Sequence, residues 1–525
     1  MSRNERPSGA RLRALAGMAG VALSFVSAPF VSTMARADAV SEAAASAMLD
    51  KVSGNAARLR MFLQAMPKGG DLHNHLGGSV YAEDFLEVAA LKGMCADIGI
   101  TRIVPGPCED DLKIANMAAR QPFVYARLVD ALSTRGYQRG VGADEVSGHT
   151  QFFRSFSRFG PVAEGENGRW LALARQSARR NQVSYLELML DPPGFVKFVQ
   201  GAGAGPVDEA GIAALYAADR AELAPLLDSY TREIDGIESK ANAQLACGST
   251  KADPACDVAV HYLTYALRGL PPRMVFRTLL ASFAVAHRDP RVVGVNIVMP
   301  EDDPVALRDY GLHMAMFRFL EAKYPDVNVT MHAGELALGL VPPEDIADHI
   351  ARAVASGARR IGHGTDIAYE DKAPETLARM AREGIAVEVN LTSNAVILGV
   401  KGGEHPIALY RSMGVPVALS TDDEGVLRSD MTNEYRRAVM EQGLGYADLK
   451  ELARASLEYA FLPGASLWRA GKPGTPVEAC SAPFTGERCQ SFLASSEKAR
   501  LQADLEGRFD RFEHDLGRFT HPQGS

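Results

Sequence analysis

The stretch Gly70-Asp71-Leu72-His73-Asn74-His75-Leu76-Gly77-Gly78 carries two histidines two residues apart. Alternate side chains of a β-strand share a face, so His73 and His75 project to the same side. Two imidazoles on one strand face form one wall of a metal site, and Gly77-Gly78 end the strand at once. A zinc shell takes three or four protein ligands, so the other donors have to come from elsewhere in the chain. Without such partners the pair is only two histidines at a strand end.

Downstream, short apolar runs rich in Val, Ile and Tyr alternate with helical patterns. The runs cover 184–190, 258–267, 292–299, 328–331, 359–361, 385–391 and 415–419. Helical patterns such as 312–323, 343–355 and 374–383 lie between them. This alternation signals βα units and a parallel sheet. With the His-x-His strand counted first there are eight units, so the expected fold is α/β, a (β/α)8 TIM barrel, in which catalytic groups sit at the C-terminal ends of strands. Between the first and second strands, residues 80–177 read as helical with no convincing strand, a long insertion suited to capping a pocket. Its aromatics Phe123, Tyr125, Phe152, Phe153, Phe156 and Phe159 read as core or lid packing. A leading helix is expected over 41–66. A charged helical pattern over 496–519 carries Leu501, Leu505, Phe509 and Phe512 on one face, suited to packing on the outside of the barrel.

The strand ends then become informative. One ends in His332-Ala333-Gly334-Glu335, the next in Gly362-His363-Gly364-Thr365, and the last in Ser420-Thr421-Asp422-Asp423. Only twelve histidines occur in the chain, and four of them fall at strand ends. His73, His75 and His332 offer imidazole nitrogens, and Asp422 or Asp423 a carboxylate oxygen, to one divalent ion. Nitrogen and oxygen donors without thiolate suit zinc, and other first-row metals as well. Such an ion lowers the pKa of water toward neutrality. Glu335, three residues beyond His332, is near enough to shuttle protons, and His363 between two glycines is placed to orient the water. Metal-assisted hydrolysis follows from these residue types; the substrate does not. Arg268, at the third strand end, faces either the pocket or a rim ion pair. The remaining histidines, 149, 261, 287, 313, 349, 405, 514 and 521, read as surface or satisfied core positions.

Composition bounds the setting. At 525 residues, 47% hydrophobic and 23% charged, the chain is an ordinary globular sequence long enough for one to four domains. A net charge of −8 gives no basic field for nucleic acid. Residues 1–37 read as a signal peptide. Arg3, Arg6, Arg11 and Arg13 precede an uncharged stretch from Ala14 to Ala35, and Ala35-Arg36-Ala37 forms a small-x-small cleavage site. Gly and Pro dilute the apolar run, so no stable membrane anchor is expected after cleavage. The leader holds five arginines and one glutamate, so its loss takes the net charge from −8 to −12. No twin-arginine pair is present, and the expected destination is the periplasm or the medium. Six cysteines allow fifteen connectivities; export and short intervening loops favour Cys95 with Cys108, Cys247 with Cys256, and Cys480 with Cys489. The expected division is leader 1–37, barrel with insertion 38–464, and a C-terminal extension 465–525. Oligomeric state is not legible.

Several stretches, in order, resemble the adenosine deaminase family: Met66-Pro67-Lys68-Gly69 leading to His73-Asn74-His75, then His332-Ala333-Gly334-Glu335, Gly362-His363-Gly364, Leu391-Thr392-Ser393-Asn394, Ser420-Thr421-Asp422-Asp423 and Met431-Thr432-Asn433-Glu434-Tyr435. The lead-in and the leader are similar to the secreted, growth-factor-like branch. The resemblance implies one catalytic zinc held by His73, His75, His332 and Asp422, and a small-molecule purine nucleoside as substrate. It further implies attack of activated water on C6, positioned by His363 and Asp422, with Glu335 protonating ring N1. Asp423 would hydrogen-bond N7, and backbone around Met299 to Glu301 would approach the base.

Two departures touch substrate recognition. Gly77 stands where the family often has an Asp that contacts the sugar. Asn296-Ile297-Val298-Met299-Pro300-Glu301 replaces the usual Asp-Leu-Ala-Gly-Asp-Glu. The leading expectation is deamination of adenosine and 2'-deoxyadenosine. Adenine, a modified adenosine or another aminated heterocycle is the alternative, and a non-catalytic exported nucleoside-binding or receptor-binding protein is the alternative of another class.

Overall fold

The computed structural model describes residues 31–137, 146–201, 205 and 207–519. Most of the expected leader lies outside these residues; the first helix, Val31–Ser53, runs through the expected cleavage site. Among the described residues no helix is long and apolar enough to cross a membrane.

Eight parallel strands run in chain order around the sheet: β1 Gly69–His75, β2 Val183–Met189, β3 Ala259–Leu267, β4 Val292–Val298, β5 Asn328–Ala333, β6 Arg360–His363, β7 Ala386–Val389 and β8 Val417–Leu419. Every expected strand is present, so the chain is a (β/α)8 barrel. Both faces of these strands are covered, which is why they read as apolar runs rather than alternating ones. The barrel closes between β1 and β8 through a single parallel bridge, Asn74 with Asp422. There the His75 amide donates to the Asp422 carbonyl at 3.1 Å, and the Asp422 amide to the His73 carbonyl at 2.8 Å.

The outer helices are amphipathic. Helix Pro272–Arg288 buries Val275, Phe276, Leu279, Leu280 and Phe283, the spacing that turns one face to the sheet. Helix Ala373–Glu383 buries Thr376, Leu377 and Met380 and stops at Gly384, whose left-handed φ of +67° favours a residue without a Cβ. Fully burying each such Leu or Phe contributes about 2–3 kcal/mol.

Three expectations need correction. The leading helix 41–66 is two helices, Val31–Ser53 and Ala56–Ala65, because Asn55 caps the second through hydrogen bonds to the Ala57 and Arg58 amides. The insertion contains an antiparallel pair, Cys95–Asp97 with Arg102–Val104, too short for a periodicity reading to detect. The pattern 343–355 splits into a 3-10 turn, Pro343–Ile346, and a helix, His349–Ala355. The three cysteine pairs join neighbours as expected.

The insertion reaches the C-terminal rim of the barrel. Gly148 opens helix Gly148–Ala163 hard against the Val396 carbonyl, 2.1 Å from where a Cβ would sit. His149 contacts Asp302 at 3.1 Å in the loop after β4. At the tail, helix Glu497–His514 buries Leu501, Leu505, Phe509 and Phe512.

Candidate metal centre

The four expected ligands meet at the seam between β1 and β8. His73 and His75 project from alternate positions at the end of β1, His332 from the end of β5, and Asp422 from three residues beyond β8. His75 Nε2 lies 3.2 Å from His332 Nε2 and 3.3 Å from Asp422 Oδ1, and His73 Nε2 lies 3.4 Å from Asp422 Oδ1. Ligand atoms held about 2.0–2.1 Å from a tetrahedral zinc stand about 3.3 Å from one another. The spacing therefore fits one such ion. His73 Nε2 and Asp422 Oδ1 are buried without a hydrogen-bond partner, as donors reserved for a metal should be. His363 is close by but set back, with Nε2 4.0 Å from Asp422 Oδ2.

Three of the four candidate ligands are oriented from behind. The His73 Nδ1–H donates to Glu388 Oε2 at 2.6 Å, which leaves the Nε2 lone pair for the ion. Asn296 Oδ1 accepts from the backbone amides of Ile297 and His332 at 2.7 and 3.1 Å, which fixes it as the oxygen end of the amide. The His332 Nδ1 at 3.0 Å from that oxygen must then carry a hydrogen, and its Nε2 is again free. Ser393 Oγ donates to Asp422 Oδ2 at 2.7 Å, turning Oδ1 inward. Charge follows the same arrangement. Burial works against charge on His73, but the Asp422 and Glu388 carboxylates outweigh it and raise the imidazole to about 10, so an ion binding at Nε2 displaces a proton there.

Glu335 and His363 face one another at 3.6 Å. Burial, then the charges of Asp422 and Glu301, push the Glu335 carboxyl well above the usual range, so it is poised to hold a proton. Its backbone is clamped: the Glu335 amide donates to Glu301 Oε2 at 2.8 Å. Glu301 Oε1 accepts from His349 Nδ1 at 2.7 Å and faces Arg268 Nη1 at 3.4 Å. Arg268 Nη2 also donates to the His332 carbonyl at 2.5 Å. Arg268 is thus a buried ion-pair partner rather than a pocket-facing group. His349, read from sequence as a surface or satisfied core position, stacks on Tyr310 with ring centroids 3.8 Å apart and braces the loop that carries Glu335.

Asp423 is raised well above its ordinary range by burial and by Asp422, and its Oδ1 has no partner. The glycine that matters to it sterically is Gly78, where a Cβ would meet Asp423 Oδ1 at 1.5 Å. Gly77 is exposed with open space around it. Met299 holds a left-handed φ of +84° and lies over Gly269, where a Cβ would meet its methyl at 2.9 Å.

Sequence reading missed Glu388, Asn296, Ser393, Glu301 and His349 as supports. For Glu388 a signal existed: one carboxylate in the middle of the apolar run 385–391 has to be paired once buried. The same holds for Glu187 in β2 and Arg360 in β6. Arg360 donates to both, Nη2 to Glu187 Oε2 and Nε to Glu388 Oε1, each at 2.5 Å.

A family model described as adenosine deaminase matches residues 143–467. His73 and His75 lie upstream of that stretch and join it through the barrel closure. An adenine deaminase of Sinorhizobium medicae is 30% identical over 219 residues, 42% of this chain and 62% of that protein. An adenosine deaminase of Aliivibrio fischeri is 37% identical over 145 residues, 27% of this chain and 40% of that protein. An aminodeoxyfutalosine deaminase of Streptomyces coelicolor is 40% identical over 106 residues, 20% of this chain and 27% of that protein. The matches span less than two thirds of these relatives. Among solved structures, arabidopsis ADAL complexed with IMP superposes with a TM-score of 0.52 at 18% identity, over 86% of this chain and 99% of that one. A zinc-bound amidohydrolase from Burkholderia ambifaria does so with a TM-score of 0.50 at 18% identity, over 88% and 95%. These neighbours share the fold. With more than half of its length matched by the family model, and with histidines and an aspartate brought together at the strand ends, the chain belongs to the adenosine deaminase family.

Proposed function

We propose that the chain is a zinc-dependent hydrolase that deaminates adenosine and 2'-deoxyadenosine to their 6-oxo products and ammonia. The observation that carries this reading is a buried carboxyl, Glu335, 3.6 Å from His363 and beside a donor set spaced for one tetrahedral ion. When bound, a zinc ion there lowers the pKa of water toward neutrality and makes it a nucleophile. The protein residues then divide the remaining work. Glu335 gives its proton to purine N1, which breaks the aromaticity that resists attack at C6. His363 orients the incoming oxygen. N7 of a purine is an acceptor, so its partner must be a donor; Asp423, raised by burial and by Asp422, carries the hydrogen that this contact needs. The amino group leaves as ammonia once C6 has gained its oxygen. Export to the periplasm or the medium is part of the proposal, supported by the arginine-led apolar leader and three disulfides.

One observation favours a second substrate. Gly77 leaves open space where a sugar-binding carboxylate would stand, so the free base adenine is the competing reading, and one relative is named an adenine deaminase. The test is the loss of ultraviolet absorbance on deamination of adenosine, 2'-deoxyadenosine and adenine by zinc-loaded protein. A kcat/KM for adenosine at least tenfold above that for adenine is expected. The reverse order transfers the assignment to adenine, and no turnover of any of the three refutes purine deamination.

A further inference from the structure

His405 and Asn394 lie behind His363, away from the ligand atoms, and the direction of every hydrogen bond between them can be deduced. The starting point is a backbone amide, which only donates. Ile407 N–H, the first amide of helix Ile407–Ser412, donates to His405 Nδ1 at 3.2 Å. His405 is buried, and burial followed by the charge of Arg437 lowers it to about 4, so the ring is neutral with a single N–H. Since Nδ1 accepts, that hydrogen is on Nε2. His405 Nε2 stands 3.1 Å from Asn394 Oδ1, a contact that fits only with the amide oxygen facing His405. The Asn394 NH2 is thereby turned toward His363 Nδ1 at 3.0 Å, with the Asn390 NH2 beside it at 3.4 Å. An amide NH2 only donates, so His363 Nδ1 is an acceptor and the ring hydrogen of His363 is on Nε2.

We propose that His405 and Asn394 are positioning residues that hold His363 as its Nε2–H tautomer, so that it meets the incoming oxygen as a hydrogen-bond donor. Nε2 is the atom that faces the reaction centre, 3.6 Å from Glu335 Oε1 and 4.0 Å from Asp422 Oδ2. The backbone is shaped for the relay. Asn394 opens a π-helical turn, Asn394–Leu398, closed by Gly399 at φ +74°, and such wide turns recur at functional sites. Ser393, one residue earlier, grips Asp422. One short turn therefore orients both a metal ligand and the histidine beside it.

The catalytic consequence rests on the deaminase reading, whereas the tautomer is read without substrate. In zinc-loaded protein labelled with 15N-histidine, the His363 resonances, assigned through a His363 variant, should show an unprotonated Nδ1 and a protonated Nε2. Asn394→Asp places an acceptor opposite Nδ1 and should move the hydrogen there. A histidine held in the wrong tautomer costs a serine protease about 10⁴ in kcat; here a fall of at least about 100-fold is expected, with KM changed less than about threefold. His405→Leu should lower kcat at least about tenfold, and His405→Gln, which keeps a donor toward Asn394, should restore most of it. A wild-type His363 protonated on Nδ1 overturns the proposal. So does a His405→Leu protein with unchanged tautomer and unchanged kcat. If Asn394→Asp does not fold, the wild-type spectrum and the His405 pair decide. A protein that shows the tautomer and deaminates nothing supports the relay and refutes the deaminase reading.

Discussion

Asp422 and His363 both hold left-handed backbone, at φ +59° and +67°, a conformation that costs a residue with a Cβ about 1–2 kcal/mol. Strain of this kind persists where the surroundings over-determine a position, and here both side chains are fixed by their neighbours at the metal centre. His313 is a different case, a buried histidine with no partner on either ring nitrogen. Burial, then the charge of Arg268, lowers it from 6.5 to about 4. Its folded pKa is below its unfolded one, so its contribution is fully present above pH 6.5 and is lost as pH falls toward 4. A displacement of this size corresponds to about 3 kcal/mol. His313→Leu should therefore flatten the loss of stability between pH 6.5 and 4.5 in urea unfolding, and an unchanged pH slope would contradict the assignment. At this scale the candidate ligands and Glu335 stood out in the sequence because each lies at or just past the end of an apolar strand. Their supports were not, because Asn296, Glu301 and His349 act through contacts between segments 34 to 48 residues apart, which no local pattern encodes.

Among the elements, β1 and β8 matter most, since a single bridge joins them and their junction carries three of the four candidate ligands. Two backbone hydrogen bonds join them, at His75 and Asp422. A metal bridging His73, His75 and Asp422 would clasp this seam. Removing it with a chelator should speed amide exchange at His75 and Asp422 while leaving the β6–β7 ladder protected; equal rates with and without metal would show that the seam does not depend on the ion. The strands were readable from sequence because doubly covered parallel strands are continuous apolar runs. The antiparallel pair Cys95–Asp97 with Arg102–Val104 was not, since three residues a side carry too little periodicity to detect.

Across the whole molecule, the metal centre is braced through the barrel interior. His73 leans on Glu388, Glu388 on Arg360, and Arg360 on Glu187. Arg360 also stacks on Phe461 at 3.7 Å and donates to the Tyr459 carbonyl, in the segment that leads into the C-terminal tail. Arg360→Met strands two buried carboxylates, which should cost about 3–5 kcal/mol. Zinc affinity in a chelator competition should fall about 10–100-fold as His73 loses its support. Stability lost with affinity intact would confine the pair to a structural role. On the proposed function, this buried centre performs hydrolysis with Glu335 as its proton carrier. Bound zinc and deamination rate, measured together for wild type and Glu335→Gln, test it most directly. One zinc per chain is expected in both proteins, with a rate at least about 100-fold lower in the variant; a variant that keeps both its zinc and the wild-type rate would contradict Glu335 as the proton carrier.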